Sequence, residues 1–112
     1  MAISVKYKNA KGTLGSSAAA LVTAGSNRVA KLEKITLHGG TSSSDDTELY
    51  IYASGGSASA STRFRQIASI PSGETVSVPL NNHNLRDGDV LAGRSGTGAA
   101  INYIVSYIEI AE

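Results

Sequence analysis

The sequence predicts an all-β protein, a small antiparallel β-sandwich or jelly roll of about seven to eight short strands. Three observations lead there. Apolar residues alternate with polar ones at period two in several segments. Loops rich in turn-forming residues separate those segments at short intervals. Gly, Ser, Thr and Ala supply 51 of the 112 residues, which suits short strands and turns better than long charged helices.

Taken in order, Ile3, Val5 and Tyr7 alternate with Ser4, Lys6 and Lys8 and define a first strand or an N-terminal arm over residues 1–15. The remaining residues, 16–112, form the single sandwich domain. Leu21 to Thr23 starts a strand, because the Ala-rich helical alternative at Ser16 to Val22 is short and uncapped. From Arg28 to His38, Ala30 and Leu32 share a phase that Ile35 and Leu37 break, so a bulge is predicted near Glu33-Lys34. Leu49, Ile51 and Ala53 alternate with Glu48, Tyr50 and Tyr52.

In Thr62 to Ile70 the apolar residues Phe64, Ile67 and Ile70 recur every third position, which predicts a bulge near Gln66 or a helical turn. Val76, Val78 and Leu80 alternate with Thr75, Ser77 and Pro79, and the missing N–H of Pro79 puts that strand at an edge or ends it. Ala99 to Ile110 is apolar on both faces: Ile101, Tyr103, Val105 and Tyr107 on one, Ile104, Ile108 and Ile110 on the other. Such a strand is either central in a covered sheet or covered by a partner chain.

Composition removes several classes of function. Ten basic residues oppose nine acidic ones, which argues against nucleic acid as a partner. The absence of Cys excludes a disulfide framework, a thiolate metal site and a Cys nucleophile. No run approaches the roughly 20 apolar residues of a membrane span, and Met1 to Gly12 lacks the apolar centre of a signal peptide.

Constellations for chemistry are equally sparse. His38 and His83 sit outside any nucleophile-elbow pattern, so they read as surface histidines rather than catalytic ones. Asp45, Asp46 and Glu48, or Asp87 and Asp89, offer carboxylates for calcium but lack the EF-hand pattern. Asp87-Gly88 reads more simply as a hairpin turn. Gly93 to Gly98 has the glycines of a phosphate cradle, yet a strand pattern rather than a helix follows it. The expectation is a non-enzymatic protein with no cofactor and no metal.

Interaction residues stand out better. Arg63 and Arg65 share a face of one strand, and Tyr50 and Tyr52 share a face of another. If those faces coincide they form an Arg/Tyr patch suited to a protein interface or to stacking on a sugar. Alternatively the tyrosines cover the sheet and the arginines lie over them. Lys6, Tyr7 and Lys8 at the start, and Tyr103 and Tyr107 near the end, complete the candidate interface. Residues 1–34 carry a net +5 that later acids offset, an asymmetry suited to head-to-tail contact between copies or docking on an acidic surface.

Several runs are also familiar: Leu21-Val22-Thr23-Ala24-Gly25, Val29 through Leu37, Ser42-Ser43-Ser44 and Leu49-Tyr50-Ile51-Tyr52. So are Ile70-Pro71-Ser72-Gly73-Glu74-Thr75 and Leu85-Arg86-Asp87-Gly88-Asp89-Val90-Leu91. Together they resemble the small β-sandwich virion proteins of tailed bacteriophages, which serve as capsid decoration or tail accessory proteins. The resemblance spans roughly residues 20 to 110 and rests on turn and strand signatures. It implies a structural, non-catalytic protein without cofactor, most simply a capsid decoration protein that binds and stabilises an assembled shell. It further implies many copies per virion, a homo-oligomer with a trimer favoured, and the major capsid protein as partner. The alternative is a tail or head-fibre module that binds host-surface carbohydrate through Tyr50 and Tyr52. On that basis residues 1–11 are expected to be an arm held by a neighbouring chain.

Overall fold

A computed structural model describes residues 3–39, 46–96 and 101–111. Among these described residues there are nine strands: β1 (Ser4–Leu14), β2 (Ala19–Thr23), β3 (Arg28–His38), β4 (Thr47–Tyr52), β5 (Arg63–Ile67), β6 (Thr75–Pro79), β7 (Asn84–Arg86), β8 (Val90–Arg94) and β9 (Ile101–Ala111). A long sheet has the order β1-β9-β3-β6, with β7 also pairing β3, and a shorter one has the order β2-β8-β4-β5. All pairings are antiparallel. Setting aside the three-residue β7, the strands pair first with last, second with second-last, third with sixth and fourth with fifth. That is the nested connectivity of a jelly roll.

The period-two pattern decides what lies between the sheets. On β9, Ile101 and Val105 are fully buried, while Tyr103 and Tyr107 pack against the core from the same face. Their partners across β3 are Leu32, Ile35 and Leu37, and across β1 they are Leu14 and Ala10. From the short sheet come Val22, Leu49 and Leu91. Ile70, Leu80 and Leu85 fill in from around β6 and β7.

The predicted bulge in β3 is present. Leu32 pairs with Tyr107 and Lys34 with Ser106, so Glu33 is the extra residue. Without it Ile35 and Leu37 would face solvent; with it they are 0% exposed. The bulge in β5 falls elsewhere than expected. Leu49 pairs with Arg65 and Tyr50 with Arg63, which leaves Phe64 as the extra residue rather than Gln66. Pro79 ends β6, the last strand of the long sheet's path, where its missing N–H leaves no ladder bond unmade. β2 begins at Ala19, and the helical alternative for that segment is not adopted.

Residues 87 and 88 have φ of 38° and 93°, and the Asp89 N–H donates to the Arg86 carbonyl at 2.9 Å. Two positive φ values inside that bond make a type I′ turn. The N-terminal segment is the larger revision. It is the strand and not the arm: β1 pairs with β9 at every position from Ser4↔Ala111 to Leu14↔Ile101. β9 is thereby central, flanked by β1 and β3.

Candidate interaction surfaces

The solvent side of the short sheet carries Tyr50, Tyr52 and Arg63, but Arg65 does not share that face as expected, because the bulge at Phe64 puts it in register with inward-facing Leu49. Register places Tyr50 opposite Arg63 and Ala92, and Glu48 opposite Arg94 and Gln66. Glu48, which the sequence offers only as a carboxylate for calcium, is the centre of the cluster. It is 4% exposed and accepts hydrogen bonds from both Arg63 and Arg94. Arg94 Nη2 also donates to Asp46 Oδ2 at 2.7 Å, and Gln66 Nε2 donates to Asp46 Oδ1 at 2.9 Å.

Each group shifts towards its charged form for an identifiable reason. The hydrogen bond from Arg63 holds the Glu48 carboxyl below the usual carboxylate range against the opposing effect of burial. The bond from Gln66, then Arg94, does the same for Asp46. A hydrogen bond with Tyr50, followed by those to Glu48 and Asp46, raises Arg94. Two arginines and two carboxylates thus neutralise one another on the sheet surface. Tyr50, at 6% exposed, is buried. Tyr52 is half-buried, and Arg65 is exposed opposite Leu49.

The other acidic candidates are held by backbone. Asp87 Oδ1 accepts the Asn27 N–H at 2.8 Å and Asp89 Oδ2 accepts the Arg86 N–H at 3.1 Å, bonds that brace the turn before β8. Asp45 lies outside the described residues, as do positions 97–100 of the glycine-rich segment. His38 Nδ1 lies 2.8 Å from Thr75 Oγ1, while the His83 ring packs at a tilt of 53° against Phe64 with ring centroids 4.8 Å apart. The two histidines serve separate structural contacts.

The long sheet presents the more open surface. Lys8 bridges Glu109 at 2.9 Å and Arg28 joins the same carboxylate at 3.2 Å. The bond from Lys8 lowers the Glu109 pKa. Tyr103 turns inward against β1, where a Cβ at Gly12 would sit 3.0 Å from its hydroxyl. Tyr107 packs inward as well. Of the predicted aromatic candidates, Tyr7 is the one that stands clear, at 80% exposed.

Tyr7 belongs to the outer face, in register with Ile108, and Val5 is in register with Ile110, which pairs in turn with Val29 of β3. Ile104, opposite Lys11 and one pair beyond Asn9–Ser106, is on the same face at 45% exposed. Polar pairs interleave with the apolar residues: Ser106 donates to Asn9 at 2.9 Å between Ile108 and Ile104, and Thr13 donates to Asn102 at 3.0 Å beyond Ile104. The doubly apolar β9 announced this surface in the sequence. Its pairing with β1 was the missing piece.

The fold and surfaces define a jelly-roll β-sandwich whose polar clusters are satisfied internally and whose long sheet exposes an apolar outer face. No protein-family profile and no curated protein matches the chain. Among solved structures it is similar to a chain described under "Bacillus endospore appendages form a novel family of disulfide-linked pili", with a TM-score of 0.56 and 15% identity. The alignment covers 96% of this chain and 86% of that one, so the likeness extends over the whole sandwich. At that identity it is a likeness of fold. This chain has no Cys and cannot form a disulfide link of any kind.

Proposed function

We propose that this protein is a non-enzymatic structural subunit of a repeated surface assembly. The concentration of exposed large hydrophobic side chains on one face of the long sheet carries that reading. Isolated apolar residues are ordinary on a soluble surface, whereas a contiguous group marks a contact site. The fold's likeness to an appendage chain supports a building-block role, and the internally neutralised ion cluster leaves no poised acid or base on the short sheet.

The sequence resemblance supplies the finer form: a decoration protein on the shell of a tailed phage, made in the host cytoplasm and attached to the major capsid protein. A sugar-binding fibre module is less well supported, because Tyr50 is buried and offers no open ring for stacking. The test is the copy number of this chain on purified particles, together with negative-stain microscopy of the purified protein. A copy number comparable to the major shell protein supports decoration. Filaments from the purified protein support an appendage subunit. A handful of copies at a tail or neck favours the fibre module, and absence from every particle with no ordered assembly overturns the subunit reading.

A further inference from the structure

The four large hydrophobic residues exposed among the described residues all belong to one surface: Ile3 (67%), Val5 (57%), Tyr7 (80%) and Ile104 (45%). Val5, Tyr7 and Ile104 lie on the outer face of the long sheet, and Ile3 continues the β1 alternation just before Ser4. Half-buried Ile110 and Ile108 lie beside Val5 and Tyr7, and the hydrogen-bonded Asn9–Ser106 pair separates this cluster from Ile104. The face is too apolar to be finished by the fold itself.

Its charge indicates what covers it. Register places Lys11, Lys31, Lys34 and Arg86 on the same face, all exposed, with Glu33 at the bulge as the opposing acid. Four cations and one anion give +3 in a chain whose total is +1, so the remainder of the molecule is −2. Two such faces meeting each other would bring +3 against +3 around an apolar centre, which opposes a face-to-face dimer. The exposed acids Glu74 and Asp87 lie at opposite ends of the same sheet, in the turns before β6 and after β7, rather than in its apolar centre.

Building on the subunit reading above, we propose that the outer face of the long sheet docks onto a different surface of a second copy. Such a contact is heterologous. It generates a ring, for instance a trimer, if the rotation between copies closes, and an open chain if it does not. A dimer that stops is not a product of this contact. The apolar centre supplies affinity and the lysines select the partner surface.

Sedimentation velocity of the full chain over a wide concentration range, at low and high salt, tests this. Association beyond the dimer is expected, weakening with salt. The double variant Val5→Ser/Tyr7→Ser should lose at least roughly tenfold in association constant. Lys31→Glu should weaken association too, whereas in a face-to-face pair it would relieve repulsion and strengthen it. Both variants alter exposed side chains, and a thermal melt by circular dichroism verifies that they fold. A closed dimer, or strengthening by Lys31→Glu, overturns the heterologous contact. Monomers at every concentration overturn self-docking and assign the face to another protein. If those monomers nevertheless coat a particle in high copy number, the subunit reading survives; if the chain associates but no particle or filament contains it, that reading falls alone.

Discussion

Glu48 sits on the solvent side of a sheet, yet its side chain is only 5% exposed because Arg63 and Arg94 close over it. A carboxylate so placed is tolerated because both of its oxygens are bonded. Its folded pKa is lowered, so its contribution to stability is complete above the unfolded value of about 4.5 and is lost as pH falls through the lower folded value. Glu48→Gln should therefore lower the melting temperature near pH 6, and the gap to the parent should narrow as both are melted towards about pH 3. A gap that stays constant over that range would show that the carboxylate charge is not the stabilising feature. Glu48→Ala should cost about 2 kcal/mol, less than for a deep ion pair because both arginines keep contact with water. Denaturant unfolding reads that value. Gly88 is the second position where one atom matters. Its φ of 93° disfavours any side chain, and a Cβ there would lie 2.8 Å from that of Ser54. Gly88→Ala should destabilise by about 1–2 kcal/mol through strain at the turn, measured in the same way. The Asp-Gly pair made this turn legible from sequence. Glu48 was not legible, since an acid among alternating residues looks like any solvated side chain until its neighbours across two strands are known.

Among the strands, β3 was readable because a bulge leaves a one-residue phase slip in the apolar pattern, and Leu32 to Ile35 shows it. β5 was misread because Phe64, Ile67 and Ile70 repeat every third residue, and a period of three places an extra residue ambiguously. There Phe64 itself is the extra residue, and Ile70 is buried beyond the strand's end. β8 was the least legible element, its Gly93-Arg94 end passing for part of a glycine-rich loop, and β1 was readable either as a strand or as an arm. Three lysines and an exposed tyrosine look like a detachable arm, and only the uninterrupted register with β9 shows it to be integral. Deletion of residues 1–11 should therefore do more than weaken attachment. It would uncover the edge of β9 together with Ile104, Ile108 and Ile110, a hydrophobic edge prone to intermolecular pairing. Expression should give largely aggregated protein, and any soluble fraction should melt at a lower temperature than the full chain. A truncated chain that stays monomeric and melts normally would restore the arm interpretation.

At the level of the whole chain, alternation and turn chemistry indicate a sandwich but cannot say which strand pairs with which. The nested order pairs the first strand with the last, the longest sequence separation available, and local patterns carry no information about it. That nesting has a kinetic consequence. The central sheet cannot close until β9 meets β1 and β3, so the chain must pay the loop-closure entropy of nearly its full length before its core packs. It also places Ser4 directly opposite Ala111, so a short linker between the termini would turn β1 and β9 into a simple hairpin. A circular permutant joined there and opened in the exposed Gly55-Gly56-Ser57 turn should keep the fold, because no ladder bond is cut. It should refold faster than the parent, since the β1–β9 contact becomes local while the surfaces buried are unchanged. Stopped-flow refolding alongside a thermal melt separates the two effects. Equal stability with faster folding follows if β1–β9 closure limits the rate. Equal stability with unchanged folding would place the barrier in the short sheet, where β4, β5 and β8 carry the ion cluster. Loss of the cooperative transition would mean that the termini are not neighbours in the folded protein.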